Sequence, residues 1–225
     1  MSKPTGAARI AGNGWIERIV AEFGSECRQI LGYVAEDEAA IRRPVENLLL
    51  AAATQLGLEL HLHPEARRPD LGIRPDLAVR VGQGRQRIVG YVELKSPSKA
   101  DISPGALRGN DRKQWEGMSK LPNLIYTNGQ SWTLYRLGQQ HGETVHLTGD
   151  LYRAGSRLQA AGTSSAAFEW LLREFLSWHP EPLCFIRQLV GSVAPLYGLL
   201  RARSLTVWRM RHGVLRGVAS GRSPN

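Results

Sequence analysis

Residues 87–95, RIVGYVELK, constrain the fold more than any other stretch. Gly90, Tyr91, Val92 and Leu94 leave neither face of this run polar, the pattern of a strand covered on both sides. Yet the run ends in Glu93 and Lys95, which project together because residues two apart on a strand share a face. Charges in a covered strand are costly unless something compensates them. Another acid, Asp76, opens the preceding run PDLAVRV, and GQGR between the two runs reads as a hairpin turn. Asp76 can therefore approach Glu93 from the neighbouring strand.

Two carboxylates brought together repel and tend to retain a proton. A divalent cation removes that penalty. Magnesium takes oxygen ligands and keeps several waters, so the expected ligands are Asp76, Glu93 and the backbone carbonyl of Leu94, with manganese able to substitute. A retained water becomes a nucleophile when its pKa is lowered. Lys95 beside it could orient that water or stabilise charge on an attacked phosphate. The bland alternative is a surface ion pair between Lys95 and an acid, which the apolar character of the strand disfavours.

Upstream, Trp15, Ile16, Ile19, Val20 and Phe23 recur at helical spacing, with Gly24 as a plausible stop. A second helix is expected from Pro44 to Gln55, with Gly57 closing it. Leu58 to His63 alternates like an exposed strand. After the hairpin and the irregular SPSKADISPGALRGN, the stretch DRKQWEGMSKL reads as a helix with Trp115 and Met118 on one face. PNLIYTNGQSWTLYRLG reads as a second hairpin with Asn128-Gly129 in its turn. Residues 139–163 read as loop. A helix capped by Ser164 or Ser165 follows, carrying Phe168, Leu171, Leu172, Phe175 and Leu176. A last helix is expected from Leu183 to about Arg203, kinked or split at Pro195. The expected organisation is a mobile segment over 1–14, an α/β domain over 15–150, a helical extension over 151–205 and a basic, flexible tail over 206–225.

The formal net charge of +9 attracts polyanions, of which nucleic acid is the commonest. Lys99, Arg112 and Lys113 are candidate phosphate contacts. From Arg201 onwards there are six arginines and no acid, which fits either a nucleic-acid arm or an end without a role. Cys27 and Cys184 have no paired spacing and read as free thiols of a reducing compartment. No apolar run reaches bilayer length, and the first residues lack a signal-peptide core. A cytoplasmic protein with no membrane partner is the expectation.

PDLAVR, GYVELKSPSK, GNDRKQWEGMSKLPNLIYTNGQSWTLYR and FEWLLREFLSWHPEP together resemble the N-terminal PD-(D/E)xK nuclease region of single-chain, type ISP-like restriction–modification enzymes. In those proteins the nuclease precedes an adenine-specific DNA methyltransferase. The resemblance implies a restriction endonuclease-like core, with a mixed central sheet flanked by helices, and magnesium-dependent hydrolysis of DNA phosphodiesters. It maps the metal-binding acids onto Asp76 and Glu93 and the catalytic lysine onto Lys95. Glu46, on the helix before the core hairpin, and Gln114, on the helix after it, take the supporting positions. The chain has no Asn-Pro-Pro-Tyr/Phe motif, and its Gly-Gln-Gly lies in a hairpin turn, so methylation by this chain is not expected. A companion methyltransferase or specificity polypeptide is an expected partner. Dimerisation on DNA is expected for two-strand cutting.

Rival readings remain open at this level. A non-catalytic DNA-binding or partner-binding remnant would keep the fold without the chemistry. A repair or junction-resolving nuclease would keep the chemistry on another substrate. His61 and His63 share a strand face, but no third metal ligand lies near them in the sequence.

Overall fold

A computed structural model describes residues 14–33, 37–65, 67–160 and 162–179. The expected helix over 183–203, the basic tail, the N-terminal segment and Cys184 lie outside the described residues.

The core is one mixed sheet of seven strands in the order β1-β2-β3-β4-β5-β6, with β7 also pairing β5. The strands are β1 (Leu60–Pro64), β2 (Leu77–Val81), β3 (Arg87–Leu94), β4 (Leu124–Thr127), β5 (Ser131–Arg136), β6 (Gln139–Gln140) and β7 (Val145–His146). Every pairing is antiparallel except β3 with β4, which run parallel. A parallel pair needs a crossover, and α4 (Gly109–Met118) provides it. The remaining helices are α1 (Trp15–Ile30), the single turn α2 (Asp37–Ala40), α3 (Arg42–Gln55) and α5 (Thr163–Leu176).

Alternation along the strands divides the interior in two. Val79, Val92, Leu94, Ile125, Trp132 and Leu134 face a large core shared with α1, α3 and α5. Ala78, Tyr91, Tyr126 and Tyr135 face a smaller one shared with Trp115 and Met118 of α4. The first core includes Leu151, Leu158, Phe168, Leu171 and Phe175. The chain from 151 to 176, read above as part of an extension, is thus built into the same core as the sheet.

Two local readings are corrected. Gly24 does not stop α1, which runs on to Ile30. A Cβ there would lie 2.3 Å from the Gly155 carbonyl oxygen, so glycine serves close packing against a 3₁₀ turn, Gly155–Arg157. Residues 139–163, read as loop, contain β6, β7 and that turn, whose strands are too short to show a period. α2 is a single turn, too short for helical periodicity to register in the sequence.

Candidate active site

The hairpin β2–β3 sets the geometry. Arg80 pairs with Ile88 but Val79 pairs with Gly90, so Val89 is an extra residue in β3. Such a bulge shifts the phase of one strand against its partner. Beyond it Leu77 pairs with Val92, and continuing that register puts Asp76 across from Glu93. Asp76 Oδ2 accepts the Leu94 amide at 2.7 Å. Its other oxygen lies 3.8 Å from Arg42 Nη2 at the start of α3.

Glu93 and Lys95 are each 1% exposed. Lys95 Nζ donates to Glu93 Oε1 at 2.7 Å and to Gln114 Oε1 at 2.8 Å. It also stands 3.9 Å from Asp111 Oδ1 and 5.5 Å from the centroid of the Tyr126 ring. Glu93 Oε2 is buried and has no hydrogen-bond partner among the described residues. Burial pushes the Glu93 carboxyl up to about 7. Lys95 opposes that rise, while Asp76 and Glu38 add to it.

Asp76, Glu93, Lys95 and Gln114 are therefore brought together at the C-terminal end of β3, as the sequence pattern anticipates. Glu46 is not. It contacts Arg43 and lines a pocket with Leu60, His61 and His63 of the edge strand β1. The acid that reaches the site from the helical side is Glu38 of α2. Its carboxyl is raised by burial first, and it feels Lys95, Asp76, Lys99 and Asp111. Lys99 is tied to Asp111 by an ion pair and is not a free phosphate contact. Arg112 and Lys113 stand on the exposed side of α4, with Arg112 donating to the Pro104 carbonyl at 3.2 Å. His61 has Glu59 for a neighbour at 3.3 Å.

Sequence reasoning missed Glu38, Asp111 and Tyr126. Asp111 had a readable signal, since it precedes Gln114 by three residues on a helix and so shares its face. Glu38 offered only an acidic run, EDE, before a helix. Tyr126 offered none, because its place beside Glu93 exists only through the parallel pairing of β3 with β4.

The donor set fits a hard cation. Glu38, Asp76, Glu93 and Asp111 outnumber Lys95, Lys99 and Arg42 by one, and Glu93 Oε2 has no partner among the described residues. Among the described residues no three His, Cys, Asp or Glu side chains are close enough to enclose an ion by themselves. Magnesium is commonly held by one or two carboxylates and its own waters.

A chain of the DrdV–DNA complex, solved by cryo-electron microscopy, is similar in structure. The TM-score is 0.51 at 20% identity, over 73% of this chain and 99% of that one. The fold is a restriction endonuclease-like core. No family model and no curated protein matches the sequence. In this restriction endonuclease-like core the acids and the lysine occupy the end of the strand that begins the parallel crossover. No helix among the described residues is long and apolar enough to cross a membrane.

Proposed function

We propose that the protein is a magnesium-dependent DNA endonuclease of a restriction–modification system. The observation that carries this reading is the buried Glu93, bonded to Lys95 through Oε1 and aligned with Asp76 by the hairpin register, whose Oε2 has no partner among the described residues. The likeness to a chain from a DNA complex and the surplus of positive charge support DNA as the partner.

Asp76, Glu93 and the Leu94 carbonyl would hold Mg2+, with Mn2+ as a substitute. When bound, the ion lowers the pKa of a water and offsets charge on the attacked phosphate. The chain's own groups prepare the place. Asp76 clamps the Leu94 amide and so fixes the strand end from which that carbonyl projects. Gln114 accepts from Lys95 and aims its amine along the sheet face. With Mg2+ held there, Lys95 would be placed to donate towards the reacting phosphate or water. Asp111 stands by both lysines, pairing with Lys99 and lying 3.9 Å from Lys95. Cutting both strands of a duplex would take two such sites, hence a second copy on DNA.

A supercoiled-plasmid assay with Mg2+ tests the reading. The unmutated protein is expected to nick or linearise the plasmid. Asp76→Ala and Lys95→Ala are expected to lose cutting by at least about a hundredfold, the scale of losing a general acid–base or charge-stabilising group, while a gel shift shows DNA binding retained. A protein that shifts DNA but leaves the plasmid intact with Mg2+ and with Mn2+ is a non-catalytic DNA-binding module instead.

A further inference from the structure

Glu65 follows the edge strand β1 with a φ of 53°, in the left-handed region that favours glycine. Among the described residues only Leu137 is another non-glycine residue with positive φ. The Glu65 amide donates to the Asp76 carbonyl at 2.7 Å, which fixes the residue beside the start of β2. Its carboxylate stands between two guanidinium groups. Oε1 lies 3.7 Å from Arg42 Nη1, and Oε2 pairs with Arg74 Nη2. Arg42 Nη2 in turn lies 3.8 Å from Asp76 Oδ1. Both Arg42 separations are too long for hydrogen bonds, and Arg42 Nε is buried without a partner among the described residues. Arg42 thus has two carboxylates that balance its charge, while its planar fork of donors is left for an acceptor that fits it. The Arg74 and Glu65 side chains are 52% and 45% exposed, so a ligand from solvent can reach them. A carboxylate offers guanidinium groups two oxygens and one negative charge, as a phosphodiester does.

We propose that Arg42 and Arg74 bind one phosphate group of the DNA backbone beside Asp76, and that Glu65 occupies their donors until that phosphate displaces it. The exchange is accessible because an exposed ion pair is weak. The left-handed backbone at Glu65 is the kind of local strain that surrounding contacts hold in place at ligand clamps. The clamp rests on DNA being the partner, as read above, but not on the chain cutting it.

The test titrates a short fluorescent duplex with the whole chain in EDTA, at a series of salt concentrations. Each arginine that meets a phosphate adds about one to the slope of log K against log salt. Arg42→Gln and Arg74→Gln are each expected to lower that slope by about one. Glu65→Gln is expected to tighten binding about fivefold, the scale of releasing an exposed ion pair. Arg74, being half exposed, gives a variant that decides the matter if Arg42→Gln does not fold. An unmutated chain that binds no duplex, or an Arg74→Gln slope that does not change, overturns the proposal. So does a Glu65→Gln chain that binds no more tightly, since Glu65 would then be a structural anchor. Inorganic phosphate at constant ionic strength separates the two sources of the group. A phosphate-dependent rise in melting midpoint that Arg74→Gln abolishes, with DNA slopes unchanged, assigns the pair to free phosphate and overturns the DNA clamp. If slopes fall as expected while the plasmid stays intact with Mg2+ and Mn2+, the nuclease reading falls and the clamp stands. If the plasmid is cut and the slopes do not move, the clamp falls and the nuclease reading stands.

Discussion

Glu93 and Lys95 form an ion pair with almost no exposure to water, and such a pair gives little net stability because desolvation offsets attraction. Its cost is visible in Glu93, whose carboxyl is pushed up to about 7 by burial. The folded state therefore binds a proton more readily than the unfolded chain does. The stability associated with Glu93 is fully present below its unfolded pKa of about 4.3 and is lost as pH rises through 7. In metal-free protein, urea unfolding of the native chain and of Glu93→Gln should diverge over that window. The native chain should lose on the order of 3 kcal/mol relative to the variant. Parallel curves would mean that Glu93 is solvated or ion-paired at no cost. At this scale the sequence was informative where chemistry is unusual for its setting. Acids and a lysine in an apolar strand announced themselves, and Gln114 followed from the helix after it. Glu46 was placed by analogy with a helix position. In three dimensions Glu38, on a turn too short to have a pattern, is the helical acid that raises the Glu93 carboxyl instead.

Among the elements, β3 bears the constraint. Its bulge at Val89 puts Asp76 and Glu93 on one face, and without it Asp76 would lie opposite Val92. Gly90 is equally specific. A Cβ there would come within 2.5 Å of Phe175 Cε2 and 2.8 Å of the Asn123 carbonyl oxygen. The backbone oxygen cannot rotate away, and Asn123 is itself pinned by donating to the carbonyls of Val89 and Phe175. Gly90→Ala should therefore destabilise by about 2 kcal/mol as an overpacking change. Gly105→Ala, where nothing lies within 4 Å, should be close to neutral by the same denaturation measurement. The hairpins, α3 and α4 were legible because their periods and turn residues are strong. The Asn128 side chain shows why its turn was readable, since Oδ1 accepts from the amides of Gln130 and Ser131. The bulge was not legible, because one added residue leaves an apolar run still apolar.

At the scale of the molecule, α1, α3 and α5 pack a large core on one face of the sheet, whereas α4 and the 96–108 segment pack a smaller one on the other. The charged groups collect at the C-terminal end of β3. If an ion binds there and not to the unfolded chain, it stabilises the fold by mass action. Saturating Mg2+ should raise the melting midpoint by roughly 5 °C, and the rise should vanish in Asp76→Ala and Glu93→Gln. An equal rise in the variants would locate the ion elsewhere.

The sequence by itself determined that a central strand ends in Glu93 and Lys95, that Asp76 opens its hairpin partner, and that an α/β sheet carries them. Those features are written in period, turn chemistry and the cost of charge in an apolar run, all of them local. Only the tertiary structure decided that Glu38 and not Glu46 is coupled electrostatically to the site, that Asp111 engages Lys99, and that Tyr126 pairs with Glu93 across the ladder. Each of these depends on how distant segments meet across a parallel crossover and a single-turn helix, and local patterning carries no record of such meetings.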